Sequence, residues 1–260
     1  MKDFTLKIYC DLLEAFKKAG YDVVTFEQYC EGRRAERMLV LRHDVELKAV
    51  NSLIVARKEA ELGLETSYYF RVVPQSNKPD IIREIVSLGH EVGYHYEDMS
   101  LCSGDEVRAV KHFEQWLNYF RSFYPVKTIC MHGAPMSKYD SRDIWQWADY
   151  RSYGLIGEPY FDADFSQMFY ITDTGRRWDG WKVSVRDKIP KYQDEWEKRG
   201  WVYHSTEDII KALRDGSFPK QVMMTTHPQR WTDDNVAWWK ELILQNIKNA
   251  VKWLKLQIKS

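Results

Sequence analysis

No sign of charge dominates this chain: Lys+Arg and Asp+Glu both number 38 in 260 residues, for a formal net charge of zero. Proteins that grip a nucleic-acid backbone usually carry a basic excess, so the balance argues against such a partner. Long apolar runs are also missing. None approaches the roughly 18 residues that a membrane-crossing helix needs, and membrane insertion is not expected. Cysteine is scarce: Cys10, Cys30, Cys102 and Cys130 lie far apart with no CxxC pair, which reads as packed, reduced thiols and not as a disulfide frame. With Gly at 13 and Pro at 8, disordered, collagenous and low-complexity classes are excluded. The opening Met1-Lys2-Asp3-Phe4-Thr5 has charge but no apolar signal region, so a cytoplasmic location is expected. Aromatic residues are abundant instead, at 15%. They either fill a large core or line a cleft for a flat, partly apolar ligand such as a sugar ring, and composition leaves both open.

No linker, composition shift or short repeat divides the chain, so residues 1–260 are expected to form one domain, with 1–35 as an N-terminal helical extension. A helix is predicted over 4–18, with Ile8, Leu12 and Phe16 on one face and Gly20 as its stop. A short strand and a helical turn follow over 21–32. Met38-Leu39-Val40-Leu41 is a compact buried strand, followed by a helix through Leu53, Ile54 and Leu62. Strand 66–70 precedes a helix opened by Pro79, and strand 91–95 precedes a long helix for which Ser103-Gly104-Asp105-Glu106 supplies a capping-box signature. Further strands are predicted at 127–131, 153–156, 169–172 and 221–226. Helices are predicted near Ser141, after Ser205-Thr206-Glu207-Asp208, and over 233–255. Strands apolar on both faces that alternate with helices require a parallel sheet under helical cover. Six or seven such units, with no glycine-rich phosphate loop after the first core strand, point to an irregular, seven-stranded (β/α) barrel.

Chemistry in such folds collects at the carboxyl ends of the strands. Here those ends carry Arg42-His43-Asp44-Val45-Glu46, His95-Tyr96-Glu97-Asp98, His132-Gly133-Ala134-Pro135, Asp173 to Trp178, and His227-Pro228-Gln229-Arg230-Trp231. Helix caps favour Ser, Thr, Asn and Asp over His, so histidines recurring there are the informative residues. Converging imidazoles and carboxylates suit a divalent cation or a metal-free acid/base site. Asp44 and Glu46 are two apart and point to the same side of an extended strand, as do His95 and Glu97. His90, His112 and His204 read as structural.

These segments resemble the polysaccharide deacetylase family (NodB homology, carbohydrate esterase family four), in a divergent branch. Arg42 to Glu46 is similar to the first family motif and Gly89-His90-Glu91-Val92-Gly93-Tyr94-His95 to the second. Met131 to Pro135 falls where the third lies, Asp173 to Trp178 is similar to the fourth, and Thr226-His227-Pro228 to the fifth. The resemblance implies a metal-dependent hydrolase that removes an acetyl group, by N-deacetylation first, from a sugar or sugar precursor of a surface polysaccharide. It implies Asp44 as base, His227 as acid with Asp173 orienting it, and Glu46, His95 and His132 as ligands to a divalent cation. Zinc comes first, with cobalt, nickel or iron as alternatives. Arg176, Arg177, Trp178, Tyr96 and Trp231 would bind substrate. Two departures stand out. Met99 occupies the place of the family's second metal histidine, and a thioether suits such ions poorly. The third-motif arginine that holds the base is absent, so Arg176 or Arg177 would take its part. Two other classes remain: a silent carbohydrate-binding relative, and a metal-free glycoside hydrolase using a pair such as Asp44 and Glu97.

Overall fold

Seven strands form a single sheet in which every pairing is parallel. The computed structural model describes residues 2–182 and 184–259. The strands are β1 (Asp22–Val24), β2 (Met38–Val45), β3 (Ser67–Phe70), β4 (Glu91–Tyr96), β5 (Ile129–Met131), β6 (Phe169–Thr172) and β7 (Gln221–Thr226). Their order is β5-β4-β3-β2-β7-β6. One edge of β2 is shared, by β1 along residues 38–40 and by β3 along 42–45. The segment 1–35 therefore gives the sheet a strand as well as two helices. The sheet curls into an open (β/α) half-barrel. Among the described residues no strand pairing joins β5 to β6.

Local sequence explains most of the elements. Thr5 caps the helix Leu6–Lys18 by accepting from the Ile8 amide at 3.2 Å, and Ile8, Leu12 and Phe16 of that helix are buried. The helix expected after Ser205 is Thr206–Asp215, and Ser205 and Asp208 form a reciprocal box at its start. The expected box at Ser103 does not form. Ser103 has φ 56°, left-handed and unsuited to an N-cap, and Asp105 caps the helix Glu106–Arg121 instead, accepting from Arg108 N at 3.0 Å. The strand expected at 153–156 is also absent: Tyr150–Tyr153 is a 3-10 turn ended by Gly154 at φ 72°. Among the described residues, two backbone hydrogen bonds, Ile156 N to Lys127 O and Ile129 N to Gly157 O, tie this stretch to the start of β5 and the chain just before it. The helix expected near Ser141 is a 3-10 turn, Ser141–Gln146.

Two apolar clusters flank the sheet. One joins β2, β6 and β7 to the helices Leu6–Lys18 and Thr206–Asp215; the other joins β3, β4 and β5 to Glu106–Arg121. Tyr9, Tyr68, Tyr69, Tyr94, Tyr96, Phe113, Phe120 and Trp231 are fully buried, so core packing absorbs much of the aromatic excess. Alternation along β2 sends successive side chains to opposite faces. Arg42 and Asp44 point into the barrel and contact each other. His43 points to the helical layer, where its Nε2 lies 2.8 Å from Glu59 of the helix Ala49–Glu61. Glu59 also accepts from Tyr68 OH at 2.5 Å and Thr66 Oγ1 at 2.7 Å, and His43 foremost, with His90 and Tyr68, holds it at about 2 against the pull of burial. His43, although near a strand end, therefore belongs to a structural network and not to the barrel mouth.

Gly93 in β4 faces the crowded interior, where a Cβ would overlap the Tyr69 ring and come within 2.8 Å of Thr128 O. Gly93→Ala should lower unfolding stability by about 1–3 kcal/mol through overpacking. The measurement is the urea midpoint at unchanged m-value, and an unshifted midpoint would show that the interior yields.

Candidate active site

Four strands deliver their last inward residue, or one just past their end, to one mouth. β2 supplies Asp44 and, beyond it, Glu46; β4 supplies His95; the turn after β5 supplies His132; the turn after β7 supplies His227. All five line a cavity of about 350 Å³. His95 Nε2 lies 3.8 Å from Asp44 Oδ2, His132 Nε2 lies 3.3 Å from Glu46 Oε1, and His227 Nε2 lies 3.7 Å from the same Glu46 oxygen. Asp173, just past β6, is fully buried behind His227 and accepts from its backbone N at 3.0 Å, with Oδ1 2.6 Å from its Nδ1.

Partners behind these residues fix their orientation. His95 Nδ1 lies 3.0 Å from Cys130 O, which turns Nε2 into the cavity. His132 Nδ1 lies 2.8 Å from Glu97 Oε2, and Arg71 holds both oxygens of Glu97 at 2.7 and 2.8 Å. Glu97 is thus committed to Arg71 and His132, which removes the carboxylate pair Asp44–Glu97 that a glycoside hydrolase would need free. Arg42, fully buried, donates to Asp44 Oδ1 at 3.1 Å and also contacts Cys130 and Tyr170. It occupies the role expected of Arg176 or Arg177. The signal was in the sequence: Arg42 and Asp44 are two apart on one strand and share a face. Arg230, three residues after His227, donates to Asp173 Oδ1 at 2.5 Å and was not anticipated either.

The five expected substrate contacts lie elsewhere. Arg176 donates to Trp238 O at 2.8 Å and stacks on the Trp238 ring, and Arg177 pairs with Asp179. Trp178 is buried, with Nε1 donating to Thr206 Oγ1 at 2.9 Å. Trp231 is buried and donates to Asp173 Oδ2 at 2.9 Å. Tyr96 is sealed in the core and accepts from Trp145 Nε1 at 2.9 Å. None lines the cavity. The fourth-motif segment turns back into the protein after Thr174, which lines the cavity, so Arg176 and the Gly175 carbonyl tether the C-terminal helix Asn235–Lys259 instead of facing the opening. Met99 packs in the apolar cluster beyond β4 and does not line the cavity.

Burial and charge set the protonation pattern. Burial lowers His95 to about 4 despite nearby Asp44, so it is neutral with a free ring nitrogen. Burial opposes charge on His132 too, but Glu46 and Glu97 on either side raise it to about 9. His227 is raised against burial and the Arg230 cation, chiefly by Asp173 and Glu46. Glu46 is held well below the carboxylate range despite its burial, by His227, His132 and Arg230.

Two groups have the chemistry of a cation site: Glu46 with His95 and His132, and Asp44 with His95 and Cys130, each set of donor atoms lying within 4.8 Å of one another. Burial pushes the Cys130 thiol well up, outweighing the Arg42 guanidinium beside its sulfur, so the second group is a poor thiolate site. The first fits. It offers two imidazole nitrogens and one carboxylate, each ring held from behind by a hydrogen bond, with the cavity on the open side.

No family model and no curated protein matches the chain. Solved structures do. A CE4 family pseudoenzyme from Bacillus anthracis is similar at TM-score 0.46 and 10% identity over 82% of this chain and 61% of that one. A mutant of it with restored enzymatic activity is similar at TM-score 0.46 and 10% identity, over 84% and 65%. The catalytic domain of a peptidoglycan N-acetylglucosamine deacetylase from Eubacterium rectale gives 0.44 and 15%, over 84% and 87%. The chain thus spans less than two thirds of the length of the first two.

In metal-free protein, NMR titration should find the His132 imidazole near the value of about 9 set by its two carboxylates. A raised folded value means stabilisation present below the unfolded value of about 6.5 and lost as pH rises through the folded one. The thermal midpoint should therefore fall on the alkaline side, and fall less in Glu97→Gln. A His132 that titrates at its ordinary value would remove the bridge between Glu46 and Glu97.

Proposed function

We propose that the protein is a hydrolase that removes an acetyl group from an acetylated sugar, by N-deacetylation, with a divalent cation held by Glu46, His95 and His132. The observation that carries this reading is the convergence of Asp44, Glu46, His95, His132 and His227 from four strands on one cavity. The order of the five motifs in the sequence supports the same chemistry. Zinc suits the two-imidazole, one-carboxylate set, which cobalt, nickel or iron would also accept. Such an ion, when bound, supplies Lewis-acid polarisation of the acetyl carbonyl and of the attacking water.

The chain's own groups do the rest. Asp44, held at one oxygen by Arg42 and open to the cavity at the other, accepts the proton of the water as its oxygen bonds to the carbonyl carbon. His227 donates its proton to the departing amine nitrogen as the C–N bond breaks, leaving acetate and a free amino sugar. Asp173 keeps that imidazole oriented and charged before the reaction. Met131, Pro135 and Met136 give one wall an apolar character suited to the acetyl methyl and a sugar face.

One observation favours a second reading, a silent carbohydrate-binding relative: His132 already forms a bridge between Glu46 and Glu97 that does not require an ion. Metal analysis of the purified protein, followed by acetate release from N-acetylated sugars, separates the two. Asp44→Asn should cut turnover by about 100- to 10,000-fold at unchanged metal content, whereas His95→Ala should empty the metal site. Normal turnover by Asp44→Asn would overturn the reading, and so would sugar binding without acetate release under any metal supplement.

A further inference from the structure

The helix Asn235–Lys259 reverses the usual arrangement of a surface helix. Its inward side is tethered mainly by polar contacts. Trp238 Nε1 donates to Asp3 O at 2.7 Å, Arg176 donates to Trp238 O at 2.8 Å, and Asn249 Nδ2 donates to Gly175 O at 2.8 Å. Its outward side is apolar: Val236, Trp239, Ile243 and Ile247 recur at intervals of three and four residues and are 78%, 57%, 56% and 58% exposed. Leu244 beside them is 43% exposed. A soluble helix ordinarily buries such a stripe, and contiguous exposed apolar surface marks a contact yet to be made.

Charge identifies the contact. The 25 residues of this helix hold five lysines (Lys240, Lys248, Lys252, Lys255 and Lys259) against one carboxylate, Glu241, in a chain whose total charge is zero. Lys240 and Lys248 are exposed beside the stripe. Two copies packed through these helices would bring like charges together, which disfavours self-association. Among the described residues no helix is long and apolar enough to cross a membrane, so the stripe does not belong to a span. An apolar face bearing tryptophan, flanked by lysine, has the composition of a helix lying in the plane of a lipid surface.

We infer that this helix docks on an anionic phospholipid surface, its apolar stripe entering the boundary between headgroups and acyl chains and its lysines meeting lipid phosphates. Ile247 and Lys248 also border the cavity, so docking sets the cavity mouth beside the lipid. The inference concerns a surface and does not depend on the reaction proposed above.

The test is co-sedimentation of the full chain with vesicles of phosphatidylcholine containing about one third phosphatidylglycerol. Binding should be at least about tenfold weaker to phosphatidylcholine alone and should fall with added salt. The double variant Trp239→Glu with Ile243→Glu, neither of which lines the cavity, should lose about tenfold or more at unchanged circular dichroism, since both side chains are exposed. Failure to bind anionic vesicles, or equal binding by the double variant, would overturn the inference. So would a concentration-dependent dimer abolished by the same substitutions, which would assign the stripe to a second copy. The substituted side chains lie off the cavity, so metal content and acetate release stay unchanged in each case, and none of these three failures would be mistaken for failure of the proposed reaction.

Discussion

Charge at the mouth of this barrel is tolerated because Asp44, Glu46, Glu97 and Asp173 are each set against a cationic or imidazole partner at short range. An unpaired buried ion costs several kcal/mol, and that cost governs the arrangement of the mouth. Asp44 is answered by Arg42, Asp173 by Arg230, Glu97 by Arg71, and Glu46 by the imidazoles of His132 and His227. Arg42 and Arg71 lie off the cavity, so their carboxylates keep their orientation without blocking it, whereas Arg230 borders the cavity with Asp173 buried behind it. Glu46 is different: its partners are themselves candidates for ligand and acid, which makes it the residue on which the two functional readings divide.

Much of this was legible from residue spacing. Parallel strands announce themselves as short apolar runs separated by helical periodicity, and in such folds ionisable residues at the carboxyl ends are brought to one rim by topology alone. Asp44, Glu46, His95, His132, Asp173 and His227 were identified on that basis, and the structure places them together. Side-chain parity decided the failures. His43 shares its segment with Asp44 but alternates to the helical face, where Glu59 receives it. The same rule, applied two residues back, would have assigned Arg42 to the interior.

The remaining misses have a different origin. Arg176, Arg177, Trp178 and Trp231 were expected at the mouth because they follow strand ends, yet a strand end fixes only the first residue or two of a loop. Beyond that point tertiary contacts decide the direction. Trp231 satisfies its indole N–H on Asp173, and Arg176 is drawn to a helix more than 60 residues away in sequence. The absent strand at 153–156 failed for a local reason. Gly154 in the left-handed region ends a tight turn, and only its flanks reach the neighbouring chain.

The interrupted ladder between β5 and β6 gives Arg186 an architectural part. From the segment after β6 its guanidinium donates to Gly133 O at 2.7 Å, Ala134 O at 2.8 Å and Ser137 O at 3.2 Å in the turn after β5. A side chain therefore ties two rims that backbone pairing leaves apart. In a fully closed barrel, bore is dictated by strand number and stagger. Here the Arg186 guanidinium spans the seam beside the contacts that residues 156–158 make with β5, so a side chain shares in setting the aperture while the parallel sheet stays as it is.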